Sequence, residues 1–232
     1  MKQFDDIRFQ ELKEGLYDPN IFKAFFLAGG PGSGKTFVTR GAFGGTGLRV
    51  INSDNAFESA LRKHGLSLKM PEDEAEARDI LRARAKGVTD KTLDLSLKGR
   101  LGLVIDGTGR DYDKIKIQND MLKQLGYDTY MVFVNTSKEV ALERNRMRER
   151  KLGDDMVSQM WDAVQQNLGK FQELFGTDKM IIVDNSSYDN DELLDQIEKE
   201  INKRLRKSVQ NPIGKHWLRA NDPKNRDRNK PA

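Results

Sequence analysis

The stretch Gly29-Gly-Pro-Gly-Ser-Gly-Lys-Thr36 holds the residue types and spacing that most openly imply chemistry. Gly30, Pro31, Gly32 and Ser33 separate Gly29 from Gly34-Lys35-Thr36, and Phe37 follows, so the pattern Gly-x4-Gly-Lys-Thr is complete. Glycines let a backbone wrap around an anion with its N–H groups inward, and a helix beginning at the lysine adds the positive end of its dipole. Such a turn grips a polyphosphate. Lys35 then reaches the β- and γ-phosphates of ATP, and the Thr36 hydroxyl is placed to ligate Mg2+. An apolar run, Ile21–Ala28, precedes the loop and a helical stretch to Ala42 follows it, which is the setting the pattern requires. An ordinary Gly-rich turn does not account for pattern and context together.

Two further apolar runs end in carboxylates. Val50-Ile-Asn-Ser-Asp54 places Asp54 where a carboxylate accepts the proton of an acceptor hydroxyl, and an N-cap of the helix that follows is the competing role. Asn52 and Ser53 are the better cap candidates. Val104-Ile-Asp-Gly-Thr-Gly-Arg110 places Asp106 where an acid holds Mg2+ or its water, with Thr108 and Arg110 able to donate to a ligand. The alternative is a Gly-rich turn with Asp106 paired to Lys35 or Thr36. Further on, Glu143-Arg-Asn-Arg-Met-Arg-Glu-Arg-Lys151 concentrates arginines, among which Arg144 and Arg148 share a helical face. They suit a lid that neutralises a transferring phosphoryl group; a solvated helix with Glu–Arg pairs is the other reading.

Placing these groups in one cleft requires alternating strands and helices. Strands are expected at 21–28, 48–52, 101–106, 127–134 and 179–184. Helices are expected at 1–15, 71–97 with a break near Gly87, 138–150, 154–175 and 191–205, with further ones after the first three strands. The strands are apolar without period-two alternation, as in a sheet covered on both faces. The fold class is therefore α/β: a P-loop NTPase three-layer sandwich with a mainly parallel five-stranded sheet and a helical lid. Residues 1–207 make the domain, 1–20 a helical extension of it, and 208–232 a basic, disordered tail. Trp161, Val164, Leu168, Phe171, Leu174 and Phe175 read as core rather than a base-stacking platform, and His64 as an exposed helix end.

The chain has 232 residues, no cysteine and a net charge of +4. Its basicity is local. Lys203–Ala232 holds ten Lys/Arg and two Asp, leaving the remainder net acidic, so the body is no general nucleic-acid platform. The absence of thiols excludes disulfides and fits a cytoplasmic location, and no run is long enough to span a membrane.

Together these residues resemble the zeta-toxin family of P-loop kinases, which phosphorylate a sugar 3′-hydroxyl of UDP-N-acetylglucosamine. The likeness runs from Phe25 to Tyr188 and is sharpest at Leu103–Arg110 and Met121–Thr129, with Asp106 where the family has glutamate. It implies Asp54 as the catalytic base, Asp90 in the place of a substrate-binding glutamate, Thr108 as a substrate contact and Arg144 as the first lid arginine. The second lid arginine has no counterpart in Gly153–Val157, which leaves Arg148 or Arg150 to replace it, or implies a different acceptor. The resemblance also admits an antitoxin-like partner. The same core also resembles polynucleotide 5′-kinases and small-metabolite kinases, and in the former the basic tail would hold nucleic acid. An ATP-binding assembly protein, with Lys215–Arg219 in the tail as a docking peptide for a partner, is the reading outside enzymes; a merely solubilising tail is the plainer one.

Overall fold

Residues 23–28 and 128–134 are buried along their whole length, and strands of that kind need cover on both faces. In the computed structural model, which describes residues 15–149, 151–187 and 191–226, they form the centre of a five-stranded sheet. All of the expected helix over 1–15 except Gly15, and Arg150, lie outside the described residues. The strands are β1 (Lys23–Ala28), β2 (Arg49–Ile51), β3 (Leu103–Asp106), β4 (Asp128–Asn135) and β5 (Met180–Asp184), all parallel in the order β2-β3-β1-β4-β5. β1 is central, so the loop after it opens where strand order reverses, the place where open α/β sheets bind ligands.

Alternate residues of β1 feed two cores. Ala24, Phe26 and Ala28 face α4 (Tyr112–Gln124) and α6 (Asp154–Phe175) through Ile115, Leu122, Val164, Phe171 and Phe175. Phe25 and Leu27 face α1 (Lys35–Ala42) and α7 (Asp191–Leu205) through Val38, Ile197 and Ile201. From Val164 to Phe175 the stripe of α6 is thus core, whereas Trp161, also expected there, is only half-buried and donates its Nε1 to Thr136 O at 2.9 Å.

A third, separate cluster belongs to an arm. α2 (Ser53–Lys63) and α3 (Ala75–Lys98) pack Phe57 and Leu61 against Leu81 and Ala85, with Leu68 between them. The expected break at Gly87 does not occur. Leu81 and Ala85 pack before Gly87 and Leu93 and Leu97 after it, and this burial outweighs the roughly 1 kcal/mol that a helical glycine costs. α5 (Lys138–Arg146) ends four residues earlier than expected, because Asn145 turns to bond Leu152.

The tail requires a larger correction. Residues 212–226 form α8 (Pro212–Asn221) and α9 (Pro223–Arg226), and α8 docks on the body. Asn211 caps α8 through Ile213 N and donates to the carbonyls of Lys123 and Tyr127. Gly214 is buried against the backbone of Gly126, where no side chain would fit. Trp217 meets Phe22 edge-on at 5.6 Å and stacks under the Arg100 guanidinium at 4.1 Å. Composition suggested disorder, but a capped helix with one aromatic anchor overrides it. No described helix is long and apolar enough to cross a membrane.

The anchor of this pole is Asp128. Its buried carboxylate accepts from Lys23 Nζ at 2.9 Å and from the N–H groups of Gln210 and Asn211, both at 2.8 Å. Burial lowers the Lys23 pKa despite that carboxylate. Asp128→Asn leaves the buried ammonium unpaired and should cost about 3–5 kcal/mol, read as a lower urea midpoint with α8 undocked.

Candidate active site

The phosphate loop is built around two conformational demands. Gly32 and Gly34 take φ of 77° and 89°, and a Cβ on either would collide, with the Ala141 backbone and with the Asn185 amide. At Gly30 the backbone of Trp161 is the close neighbour, 3.6 Å from where a Cβ would stand. The loop's outer wall is sewn down by Asn185, whose Nδ2 donates to Ser33 O at 2.8 Å. Among the described residues, the N–H groups of Gly32, Gly34, Lys35 and Thr36 have no protein acceptor. These orphan donors converge at the N-terminus of α1 and form a ready anion cradle.

Lys35 folds back over the cradle, donating to the carbonyls of Gly29 and Gly30. Burial lowers its pKa to about 8, opposed by the Asp106 carboxylate, assisted by the Arg148 cation and opposed again by Asp54. Asp106, half-buried at the end of β3, is shifted upward, chiefly by burial. Its Oδ2 accepts from Asn52 Nδ2, and it makes no ion pair with Lys35. Asn52 does two jobs: its Oδ1 also caps α2 by accepting from Asp54 N at 2.7 Å and Asn55 N at 3.1 Å. Asp54 is therefore not a cap. Its side chain lies in the first turn of α2, exposed to the cleft and bonded to Arg82 Nη1 at 2.6 Å.

The β3 loop is laced to the phosphate loop by Gly29 N to Thr108 O and Gly107 N to Leu27 O, both at 3.0 Å. From α6, the buried Asn167 donates to Gly109 O at 3.0 Å and Arg110 O at 2.8 Å, which fixes the turn that presents Thr108 and Arg110. Asn167 was not legible in the sequence. It sits one residue from the apolar stripe and belongs to no motif; its burial is the signal.

A cleft of about 770 Å³ joins these parts, with Lys35, Thr36, Asp54, Asp106, Arg110 and Arg148 on its walls. It continues into a second cavity of about 380 Å³, sharing Leu68, Glu149 and Leu152. Two expected site residues stand elsewhere. Arg144 does not line the cleft: its guanidinium donates to Asn185 O at 2.8 Å and Ser187 O at 3.0 Å, beside Gly34 on the loop's outer side. Asp90 is exposed on α3, outside the cleft lining. The lid is a short loop after α5, closed by Asn145 Nδ2 to Leu152 O at 2.8 Å and Leu152 N to Asn145 Oδ1 at 3.2 Å, and braced by Arg146 on Asp154. At its tip Arg148 enters the cleft, and among the described residues it has no ion-pair partner.

For a hard divalent cation the donors present are oxygens: the Thr36 hydroxyl and the Asp106 carboxylate, on the same cleft. Among the described residues no cluster of three or more acids or histidines could hold a metal by itself. Two protein oxygens fit Mg2+, which keeps waters and shares phosphate oxygens.

The fold and the loop define a P-loop kinase, a class of enzyme. Comparison supports that assignment: the AAA domain family model matches residues 25–171, more than half of the chain, and the chain belongs to that family, which implies ATP as its nucleotide. No curated protein matches it. Among solved structures, a protein of Chloroflexus aurantiacus assigned as a kinase aligns with TM-score 0.55 and 14% identity over 79% of this chain and 98% of that one. A structure from the PezAT chromosomal toxin–antitoxin system of Streptococcus pneumoniae aligns at 0.51 and 20%, covering 88% and 97%. The AvrRxo1-ORF1:AvrRxo1-ORF2 complex with sulphate ions aligns at 0.51 and 16%, covering 94% and 81%. At these identities the likeness is one of fold.

The lowered pKa of Lys35 gives a sign for pH dependence. Triphosphate stabilises the ammonium, so the bound pKa lies above the free value of about 8. Affinity for ATP should be full below that pH and fall by up to about tenfold per unit above it, with one proton taken up on binding. Calorimetry in buffers of different ionisation enthalpy measures both.

Proposed function

We propose that the protein transfers the γ-phosphoryl group of ATP, with Mg2+, to a hydroxyl of a small acceptor. One observation carries this reading. The phosphate cradle, a carboxylate base at Asp54 and an arginine at Arg148 face one cleft, which extends well beyond the space beside the loop. Asp54 accepts the proton of the acceptor hydroxyl as its oxygen bonds to the γ-phosphorus and the bond to the β-phosphate oxygen breaks, releasing ADP. Lys35, Arg148 and the loop amides hold the charge that spreads over the transferring group. Mg2+, held by Thr36 and Asp106, would neutralise phosphate charge when bound. Arg144, tied to the loop after β5, acts on the nucleotide side of the site.

The zeta-toxin resemblance makes UDP-N-acetylglucosamine the first acceptor to test. Thr108 and Arg110 in the cleft support it, and Asp90, away from the cleft, does not contribute. The other readings lose their motivation. α8 covers the N-terminal ends of β1 and β4, roughly 20 Å from the phosphate loop along a six-residue strand, so it is badly placed to guide a polynucleotide into the cleft. The proposed docking peptide, residues 215–219, spends Trp217 and Leu218 on the chain's own core.

Incubation with ATP, Mg2+ and a panel of nucleotide sugars, sugars and other hydroxyl compounds should give one product heavier by a phosphoryl group. With the acceptor so found, Asp54→Asn should reduce turnover about 10²–10⁴-fold. Arg148→Ala should lower kcat by about 10²–10³-fold, while Arg144→Ala raises the KM for ATP. Equal effects of the two arginine changes on kcat would refute the assignment of Arg148.

A further inference from the structure

Arg82 is a cleft residue that the reaction above leaves unused. It projects from α3, one position past Leu81, which packs the arm's own core against Phe57 and Leu61 of α2. Two contacts fix its guanidinium. Its Cζ lies over the Phe57 ring at 4.3 Å, and Nη1 donates to Asp54 Oδ1 at 2.6 Å. Arg82 and Asp54 are 44% and 58% exposed, so the pair adds little to stability and exchanges readily for a ligand. Among the described residues, the other N–H groups of this guanidinium have no protein acceptor. An arginine with spare donors in a fixed plane binds an oxyanion in bidentate fashion.

The surroundings select the ligand's charge. Arg110 lines the same cleft and forms no ion pair among the described residues, and Arg62 meets Glu149 only at 3.7 Å. Lys35 and Arg148 are occupied by the nucleotide in the reading given above, on which this inference rests. Arg82, shared with Asp54, and Arg110 then remain as the acceptor-side cations of a cleft that Glu58 and Glu149 also line.

We propose that Arg82 is a positioning and specificity-determining residue: it orients the Asp54 carboxylate and binds an anionic, phosphate-type group of the acceptor. Both tasks fall to one side chain because α2 and α3 share a core, so the base and the anion reader move as one body. Acceptors bearing such a group are selected, and they engage the guanidinium N–H groups that Asp54 leaves open.

The test uses the full chain with its phosphate loop filled by a non-hydrolysable ATP analogue and Mg2+, and inorganic phosphate as the probe of the acceptor side. Phosphate should bind the loaded wild-type protein in the millimolar range or tighter. Arg82→Gln should weaken it at least tenfold, and Arg82→Lys, which keeps the charge but loses the fork, only about threefold. Asp54→Asn should change it in the opposite direction and tighten phosphate severalfold, because the guanidinium is no longer shared with a carboxylate; a purely structural role would not give opposite signs. Unchanged phosphate affinity in Arg82→Gln, or none in the loaded wild type, overturns the proposal while leaving the nucleotide site intact. Failure of the analogue to bind the wild type overturns the phosphotransfer reading and this one with it.

Discussion

A set of backbone N–H groups from which no described residue accepts is the feature on which the rest of the structure depends. Orphan donors at a helix start are normal, but here they are gathered with an ammonium at the end of a buried central strand. Keeping that cradle open requires positive φ at Gly32 and Gly34, and a wall that does not collapse into it. Asn185 braces one side, Trp161 the other, and Thr108 O holds the first glycine. Each brace comes from a different element, so the sheet order is what brings them together.

The acid side of the site is organised by amides. Asn52 joins Asp106 to the start of α2, Asn167 holds the β3 turn, and Asn145 closes the lid. An amide gives and accepts without a charge of its own, so it fixes a loop without competing for the phosphates. The cations that remain, Lys35, Arg110 and Arg148, keep their charge available for ligand. The arm formed by α2 and α3 adds a separable unit with its own small core, joined to the main body mostly through the far end of α3.

Much of this was legible in the sequence because the determining patterns are local. Gly29–Thr36 is contiguous, apolar runs mark the strands, and the stripe from Val164 to Phe175 has helical spacing. What could not be read depends on distance in space. Arg144 and Arg148 share a face and a composition, and only the loop after β5, some forty residues away, decides that one is tethered and the other enters the cleft. Asp90 was placed by analogy with a family whose arm need not match this one. The segment after residue 207 is polar enough to suggest disorder. Its order comes from two contacts, Asp128 with the N–H groups of Gln210 and Asn211 and Trp217 with Phe22, which composition does not encode.

The docking of Trp217 also bears on the order in which the molecule is made. Phe22 and Tyr127 lie at one pole of the central strands, and their cover is supplied by Val209, Trp217 and Leu218. A chain emerging vectorially from the ribosome can pair β1 with β3 and β4 long before that cover exists. Until residues 209–218 have been synthesised, the nascent domain presents an aromatic floor to solvent, which is the kind of surface that chaperones retain and that neighbouring nascent chains mis-associate through.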